Sequence, residues 1–247
     1  MGDVLLVTGG SRGIGAATAL AAARQGYDVC VAYQHRSEDA ATVVDGCHAL
    51  GVRAEAVRAD VSREEDVLAL FAAVDGFGPL RALVNNAGIV DRPSTVAELT
   101  ADRIERMLRV NVVSAFLCAR EAVRRMSTDR GGTGGVIVNV SSRAATLGSP
   151  NEYVDYAASK AAMDTLTIGL AAEVAQQGIR VNGVRPGIVD TEIHASGGQP
   201  DRVERLRERV PLRRAGRAEE IADAIVWLLS DRASYVTGAL LDVGGGR

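Results

Sequence analysis

The sequence predicts an α/β fold, a doubly wound seven-stranded parallel sheet with helices on both faces. Three observations carry this expectation. Short runs rich in Val, Leu and Ile alternate with longer stretches of helical period, the pattern of repeated βαβ units. The first run is followed at once by a glycine-rich turn and a helix. The chain, residues 1–247, is 47% hydrophobic and 24% charged, enough for one undivided domain of this class.

The elements follow in order. "DVLLVT" from Asp3 is the first strand and Ile14 to Gln25 the first helix. "DVCVAY" from Asp28 precedes a helix from Asp39 to Leu50, and "RAEAVR" from Arg53 precedes one from Arg63 to Val74. "RALVN" from Arg81 leads into one long helix from about Ala101 to Met126. "GVIVNV" from Gly135 leads to a helix ending near Gln177, "IRVNGV" from Ile179 is the sixth strand, and "ALLDV" from Ala239 is the last. Continuous apolar strands of this kind are buried on both faces. The polar segment from Asp190 to Pro211, with Gly197 and Gly198, breaks the rhythm. It is expected to hold one short helix and to act as a substrate-binding lid, with a plain surface loop as the alternative.

Bulk properties narrow the function. A formal net charge of −3 gives no general attraction to nucleic acid or anionic membrane, and no run approaches the ~18 apolar residues of a membrane span. Cys30, Cys47 and Cys118 are few, odd in number and without a CxxC pattern, so neither a disulfide framework nor a metal site is expected. Cys30 and Cys118 read as packing residues, and the location expected is cytoplasmic.

"VTGGSRGIG", Val7 to Gly15, joins the first strand to the first helix. Gly9, Gly13 and Gly15 permit a tight turn and close backbone approach, so that amides at the helix start can meet the pyrophosphate of a dinucleotide. An acidic residue about 20 positions further on would bind the ribose hydroxyls of NAD. Here none occurs from Val29 until Glu38. Arg36 and Arg12, with His35 beside them, instead offer charge-assisted bonds to a 2′-phosphate. NADP(H) is therefore the expected cofactor, with NAD(H) possible if these arginines are only solvated surface groups.

"SSRAATLGSPNEYVDYAASK" runs from Ser141 to Lys160. Tyr156 and Lys160 are four apart, about 6 Å along one helix face. The ammonium is expected to lower the phenol's pKa from its usual ~10, so that Tyr156 can exchange a proton with an alcohol or carbonyl. Tyr153 stands seven residues from the lysine and belongs to the approach to the pocket.

With these residues in view, the chain resembles the short-chain dehydrogenase/reductase family along its whole length. The motifs are "TGGSRGIG" at Thr8, "ADV" at Ala59, "NNAG" at Asn85, "NV" at Asn111, "NVSS" at Asn139, "YAASK" at Tyr156, "RPG" at Arg185 and "YVTGALLDVGGG" at Tyr235. The resemblance implies a Rossmann fold with Tyr156 as general acid/base, Lys160 as its electrostatic partner and ribose anchor, Ser142 as binder of the substrate oxygen, and Asn111 as holder of a relay water. It places Asp60 at the adenine, Asn86 and Gly88 along the cofactor and Thr191 near the carboxamide. Further cofactor contacts are implied at Ser11, Ile14, Tyr33, Val61, Ala87, Pro186, Gly187 and Val189. It also implies a homotetramer with long helices and the last strand in the contacts.

One spacing departs from the family. Its serine usually lies thirteen residues before the tyrosine, whereas Ser142 lies fourteen before Tyr156. An inserted residue within "GSPNEYVD" accounts for this at low cost, with Ser141 as the weaker alternative to Ser142. The wording of this stretch resembles a bacterial sugar-dehydrogenase-like subgroup, which points to a small polar or sugar-like substrate. A 3-oxoacyl-carrier reductase is the enzymatic alternative, with Arg124, Arg125 and the arginine-rich run from Arg202 to Arg217 as an acidic partner's surface, unless those residues are internally paired. A non-catalytic NADP(H) sensor is the third reading. His194, Glu152 and Tyr153 are pocket candidates, and Trp227 packs in the core or in a subunit contact.

Overall fold

The computed structural model describes residues 2–247, the side chain of His194 excepted. Its strands are β1 (Val4–Thr8), β2 (Asp28–Tyr33), β3 (Ala54–Arg58), β4 (Leu80–Asn85), β5 (Gly135–Val140), β6 (Ile179–Pro186) and β7 (Leu240–Val243). All pair in parallel in the order β3-β2-β1-β4-β5-β6-β7. Alternating side chains sort to the two faces. Leu6, Leu83, Ile137 and Val181 pack beneath α3 (Glu64–Phe77), α5 (Ser114–Met126) and α7 (Val154–Val174). Leu5, Val7, Val31, Val84 and Val138 pack beneath α1 (Gly13–Ala23), α2 (Ser37–Ala49) and α10 (Ala218–Leu229). The expected doubly wound single domain is thus present, and the strand order reverses between β1 and β4, where a crevice opens at the strand ends.

Within the strands, exposed residues occur on the two edge strands alone, Glu55 and Arg58 of β3 and Asp242 of β7, while Arg81 of β4 and Arg180 and Arg185 of β6 are half-buried. The cysteines all sit in the core, where burial pushes the thiols of Cys30 and Cys118 up to about 12 and that of Cys47 to about 11.

The helix expected from Ala101 to Met126 is not continuous. It consists of α4 (Ala101–Leu108), a π turn over Arg109–Val113, and α5. One extra residue in a turn rotates the helix beyond it. Asn111, on that turn and 1% exposed, faces the segment after β4. Its Oδ1 accepts from Ile89 N at 2.7 Å, and its Nδ2 donates to Ile89 O and to Ser159 Oγ, each at 3.0 Å. α5 meanwhile presents Cys118, Ala119 and Ala122 to the sheet.

The segment expected to hold one short helix holds two, α8 (Ile193–Ser196) and α9 (Arg202–Leu206), followed by a 3-10 turn at Arg207–Arg209. The arginines of the run from Arg202 to Arg217 are largely paired within the chain: Arg207 with Glu204 at 2.9 Å, Arg213 with Glu208 at 3.1 Å and Arg214 with Glu220 at 2.7 Å. Arg125 is held by Asp75 at 2.7 Å and, with Arg124, by Glu121. Trp227 is not a core residue, being 37% exposed on α10. Among the described residues no helix is long and apolar enough to cross a membrane.

A buried polar line fixes α7 to the sheet. Asn85 Nδ2 donates to Asn139 Oδ1 at 3.0 Å, Asn139 Nδ2 to Thr167 Oγ1 at 2.9 Å, and Thr167 Oγ1 to Met163 O at 2.8 Å. Thr167→Val keeps the shape but strands the Asn139 amide, a loss of about 1–3 kcal/mol. Urea unfolding should show a lower midpoint with an unchanged slope; an unchanged midpoint would refute this role for the line.

Candidate active site

The glycine turn has the geometry its sequence requires. Gly9 and Gly13 hold φ of +61° and +53°, a region costly for residues with a Cβ. A Cβ on Gly15 would stand 2.5 Å from both Asn86 Nδ2 and Gly9 O. That crowding reflects a seam between the ends of β1 and β4. Asn86 Nδ2 donates to Thr8 O and Gly9 O, both at 2.9 Å, while Thr8 Oγ1 accepts from Asn86 N at 3.0 Å and Ala87 N at 3.1 Å. Gly88 extends the bare surface, since its missing Cβ would meet Asn111 Oδ1 at 3.3 Å and Lys160 Nζ at 3.4 Å. A backbone cradle of this kind fits a dinucleotide.

From the cradle a cavity of about 990 Å³, its open mouth included, runs to the chemical groups. Ile14, Asn86, Gly88, Pro186, Gly187, Val189 and Thr191 line it, together with Ser142, Tyr156 and Lys160. Tyr33 ends β2 and Asp60 follows β3, both outside this cavity lining. Asp60 Oδ1 accepts from Ser62 N and Ser62 Oγ. The side chain of Val61 is buried in the core with Val67 and Leu70 and does not line the cavity. Ser11 lies half-buried in the turn and His35 is exposed. Arg12 and Arg36 do come together, each within 3.2 Å of one Glu192 carboxylate oxygen.

At the chemical end, Ser142 and Tyr156 stand together in the wall of the cavity, and the Ser142 hydroxyl acts on the Tyr156 phenol in the sense that lowers its pKa. Ser141 turns away: it is buried, and its Oγ donates to Lys160 O at 3.0 Å. The choice between the two serines therefore falls on Ser142. The stretch expected to absorb the extra residue, Gly148 to Asp155, follows the short α6 (Ala144–Leu147) and coils through left-handed conformations at Gly148, Ser149 and Asn151. Tyr153 follows, buried at the start of α7 and part of the cavity wall.

One expectation about Tyr156 is overturned. Its pKa is raised, because burial penalises the phenolate more than the Ser142 hydroxyl and the Arg202 charge favour it. Lys160 does not offset this. Its Nζ lies 5.8 Å from the ring centroid and donates to Val140 O at 2.8 Å. At 4% exposure the ammonium is itself penalised, and burial, opposed by Asp164, brings Lys160 down to about 8.

Three side chains of the site went unrecognised in the sequence. Arg202 of α9 is 7% exposed, lines the cavity, pairs with Glu152 at 2.7 Å and covers the Tyr153 ring at 4.8 Å. Within a run of seven arginines nothing in its spacing sets it apart. Asp164, one turn beyond Lys160, is held by Arg185 Nε at 2.9 Å, and here the four-residue spacing was a usable signal. Arg103 binds Asp155 through two hydrogen bonds, of 2.8 and 3.3 Å, and ties α4 to the start of α7.

Because the folded protein disfavours the Lys160 ammonium, the unfolded chain binds more protons between about pH 8 and the ordinary lysine value of 10.5, and stability from this group rises with pH there. Lys160→Met should be more stable than wild type at pH 7, with the gap narrowing toward pH 10. Melting curves at several pH values check this; a constant gap would contradict the burial of a charged amine.

A family model described as Enoyl-(Acyl carrier protein) reductase matches residues 9–247. The chain is 58% identical over 245 residues to "Uncharacterized oxidoreductase YgfF" of Escherichia coli, covering 99% of each. It is 40% identical over 248 residues to "L-rhamnose 1-dehydrogenase (NAD(P)(+))" of a Sphingomonas species, covering 99% of this chain and 96% of the other. A short-chain dehydrogenase from Burkholderia cenocepacia, crystallised in complex with NADP, superposes with a TM-score of 0.90 at 36% identity, covering 100% of this chain and 98% of that one. The chain belongs to the short-chain dehydrogenase/reductase family of nicotinamide-dependent oxidoreductases acting on alcohol and carbonyl groups.

Proposed function

We propose that this enzyme transfers hydride between NADP(H) and a secondary alcohol or carbonyl of a small polar or sugar-like substrate. The observation that carries the reading is the convergence of Ser142 and Tyr156 on the wall of one cavity, with Lys160 buried beside them. When bound, the nicotinamide supplies or accepts the hydride. Gly9, Gly13, Gly15, Asn86 and Gly88 would hold the dinucleotide, with Thr191 near its carboxamide and Lys160 on its ribose.

Ser142 and Tyr156 would bind the substrate oxygen. The raised pKa keeps Tyr156 protonated at neutral pH, the form that donates to a developing alkoxide. Lys160 and a water held near Asn111 would return that proton. The residues from Asp190 to Pro211 would act as the lid, bringing Arg202 and Thr191 to the pocket. Paired with Glu152, Arg202 offers polar recognition beside the apolar Val90, Leu147 and Ile188, a mixture suited to a polyhydroxylated ring. The name of the Sphingomonas relative agrees with such a substrate.

The description of the matching family model names an acyl carrier protein, but Arg124 and Arg125 are committed to Glu121 and Asp75 and leave little free charge for an acidic partner. A homotetramer is part of this proposal, with Phe116 of α5 and Ile168 of α7, both exposed, in the contacts.

A panel of carbonyls and alcohols followed by nicotinamide absorbance tests the reading. Tyr156→Phe should lower kcat by about 10²- to 10⁴-fold while NADPH still binds. Equal turnover by wild type and variant would remove Tyr156 from the chemistry, and a wild type inert toward the whole panel would favour a cofactor sensor.

A further inference from the structure

Arg12 leaves the glycine turn after β1, Arg36 precedes α2, and Glu192 opens the segment after β6. These three separated places meet at a single atom. Glu192 Oε2 lies 2.8 Å from Arg12 Nη1 and 3.2 Å from Arg36 Nη1. Arg36 keeps a second, local partner in Asp39 at 3.0 Å. For Arg12, Glu192 is the one carboxylate partner among the described residues, supplemented by Ser196 Oγ at 3.3 Å from Nη2. Two guanidiniums converging on one anionic oxygen form the arrangement a phosphate ester would use.

We propose that Glu192 is a cofactor-selecting residue. Its carboxylate occupies the two arginines in competition with the 2′-phosphate of NADP(H), so that binding of that phosphate displaces the first turn of the lid. The inference rests on the reading that Arg12 and Arg36 receive the 2′-phosphate. Its coupling to the lid comes from position. Glu192 adjoins Thr191, whose side chain lies against Gly13, at 3.5 Å from where a Cβ would stand, and Ser196 on α8 shares the Arg12 guanidinium. A phosphate dianion offers more charge and more acceptor oxygens than one carboxylate and prevails. NAD(H), with a neutral 2′-hydroxyl, offers no such replacement and leaves Glu192 in place. The chain thereby weakens its own affinity for NADP(H) and narrows the difference between the two cofactors.

All three side chains are well exposed, and exposed ion pairs are individually weak, so removing the competitor should shift affinity by about three- to tenfold rather than by orders of magnitude. The test titrates wild type, Glu192→Gln, the Arg12→Ala/Arg36→Ala double variant and the triple variant with NADPH and with NADH, read by nucleotide fluorescence. Glu192→Gln should tighten NADPH by that factor and leave NADH within about twofold. The gain should vanish in the double-arginine background. Unchanged NADPH affinity in Glu192→Gln, or equal tightening of both nucleotides, overturns the inference alone, provided that the double variant has lost affinity for NADPH. A double variant that binds NADPH as wild type does overturns the 2′-phosphate reading together with the inference.

Discussion

The constraint on which the site depends is the burial of one ammonium group. Lys160 lies in α7 with 4% of its surface exposed, and such a charge persists only where surrounding groups replace water. Here the replacements come from three directions: the carbonyl of Val140 at the end of β5, the carboxylate of Asp164 one turn along the helix, and the polar cluster of Asn111 across Gly88. Each of these is itself held. Asp164 is anchored by Arg185 from β6, Asn111 by Ile89 and Ser159, and the helix by the line from Asn85 to Thr167. The "NNAG", "NVSS" and "RPG" motifs thus act in one task, which is to make a low-polarity crevice hospitable to a cation.

The same crevice has a second anchoring point at its other end. Asn86 and Thr8 sew the glycine turn to the segment that ends β4 through four hydrogen bonds, so the chain's own contacts fix the backbone of the turn. Neighbouring asparagines divide the work: Asn85 faces the core and Asn86 the turn. Between the two ends, the segment from Asp190 to Pro211 has the composition of a loop yet reaches Arg12 and Arg36 through Glu192, and Glu152 and Tyr153 through Arg202.

The seven strands and both helix layers were legible in the sequence, because apolar periodicity encodes them locally, whereas Ser142 and Tyr156 were named through the family resemblance and the fold brings both to one cavity. The illegible features depend on residues far apart in the chain. The phenol of Tyr156 answers to its burial rather than to its neighbour four residues on, since Lys160 turns to Val140. Arg202 resembles every other arginine of its run until α9 folds against Glu152. The break at Arg109–Val113 was missed by helical periodicity, and the partners of its Asn111, Ile89 and Ser159, lie far from it in the chain.

That break also separates two mechanical duties. α4 is bound to the substrate side by Arg103 with Asp155 and by Arg106 with Asp91, whereas α5 is clamped to the sheet by Cys118, Ala119 and Ala122. A straight rod would transmit any roll of one half to the other. With a phase slip of one residue between them, the forward half follows the start of α7, while the rear half keeps its seat on the sheet. The π turn works as a coupling between two shafts, and it carries Asn111 at the joint, where neither adjustment displaces it.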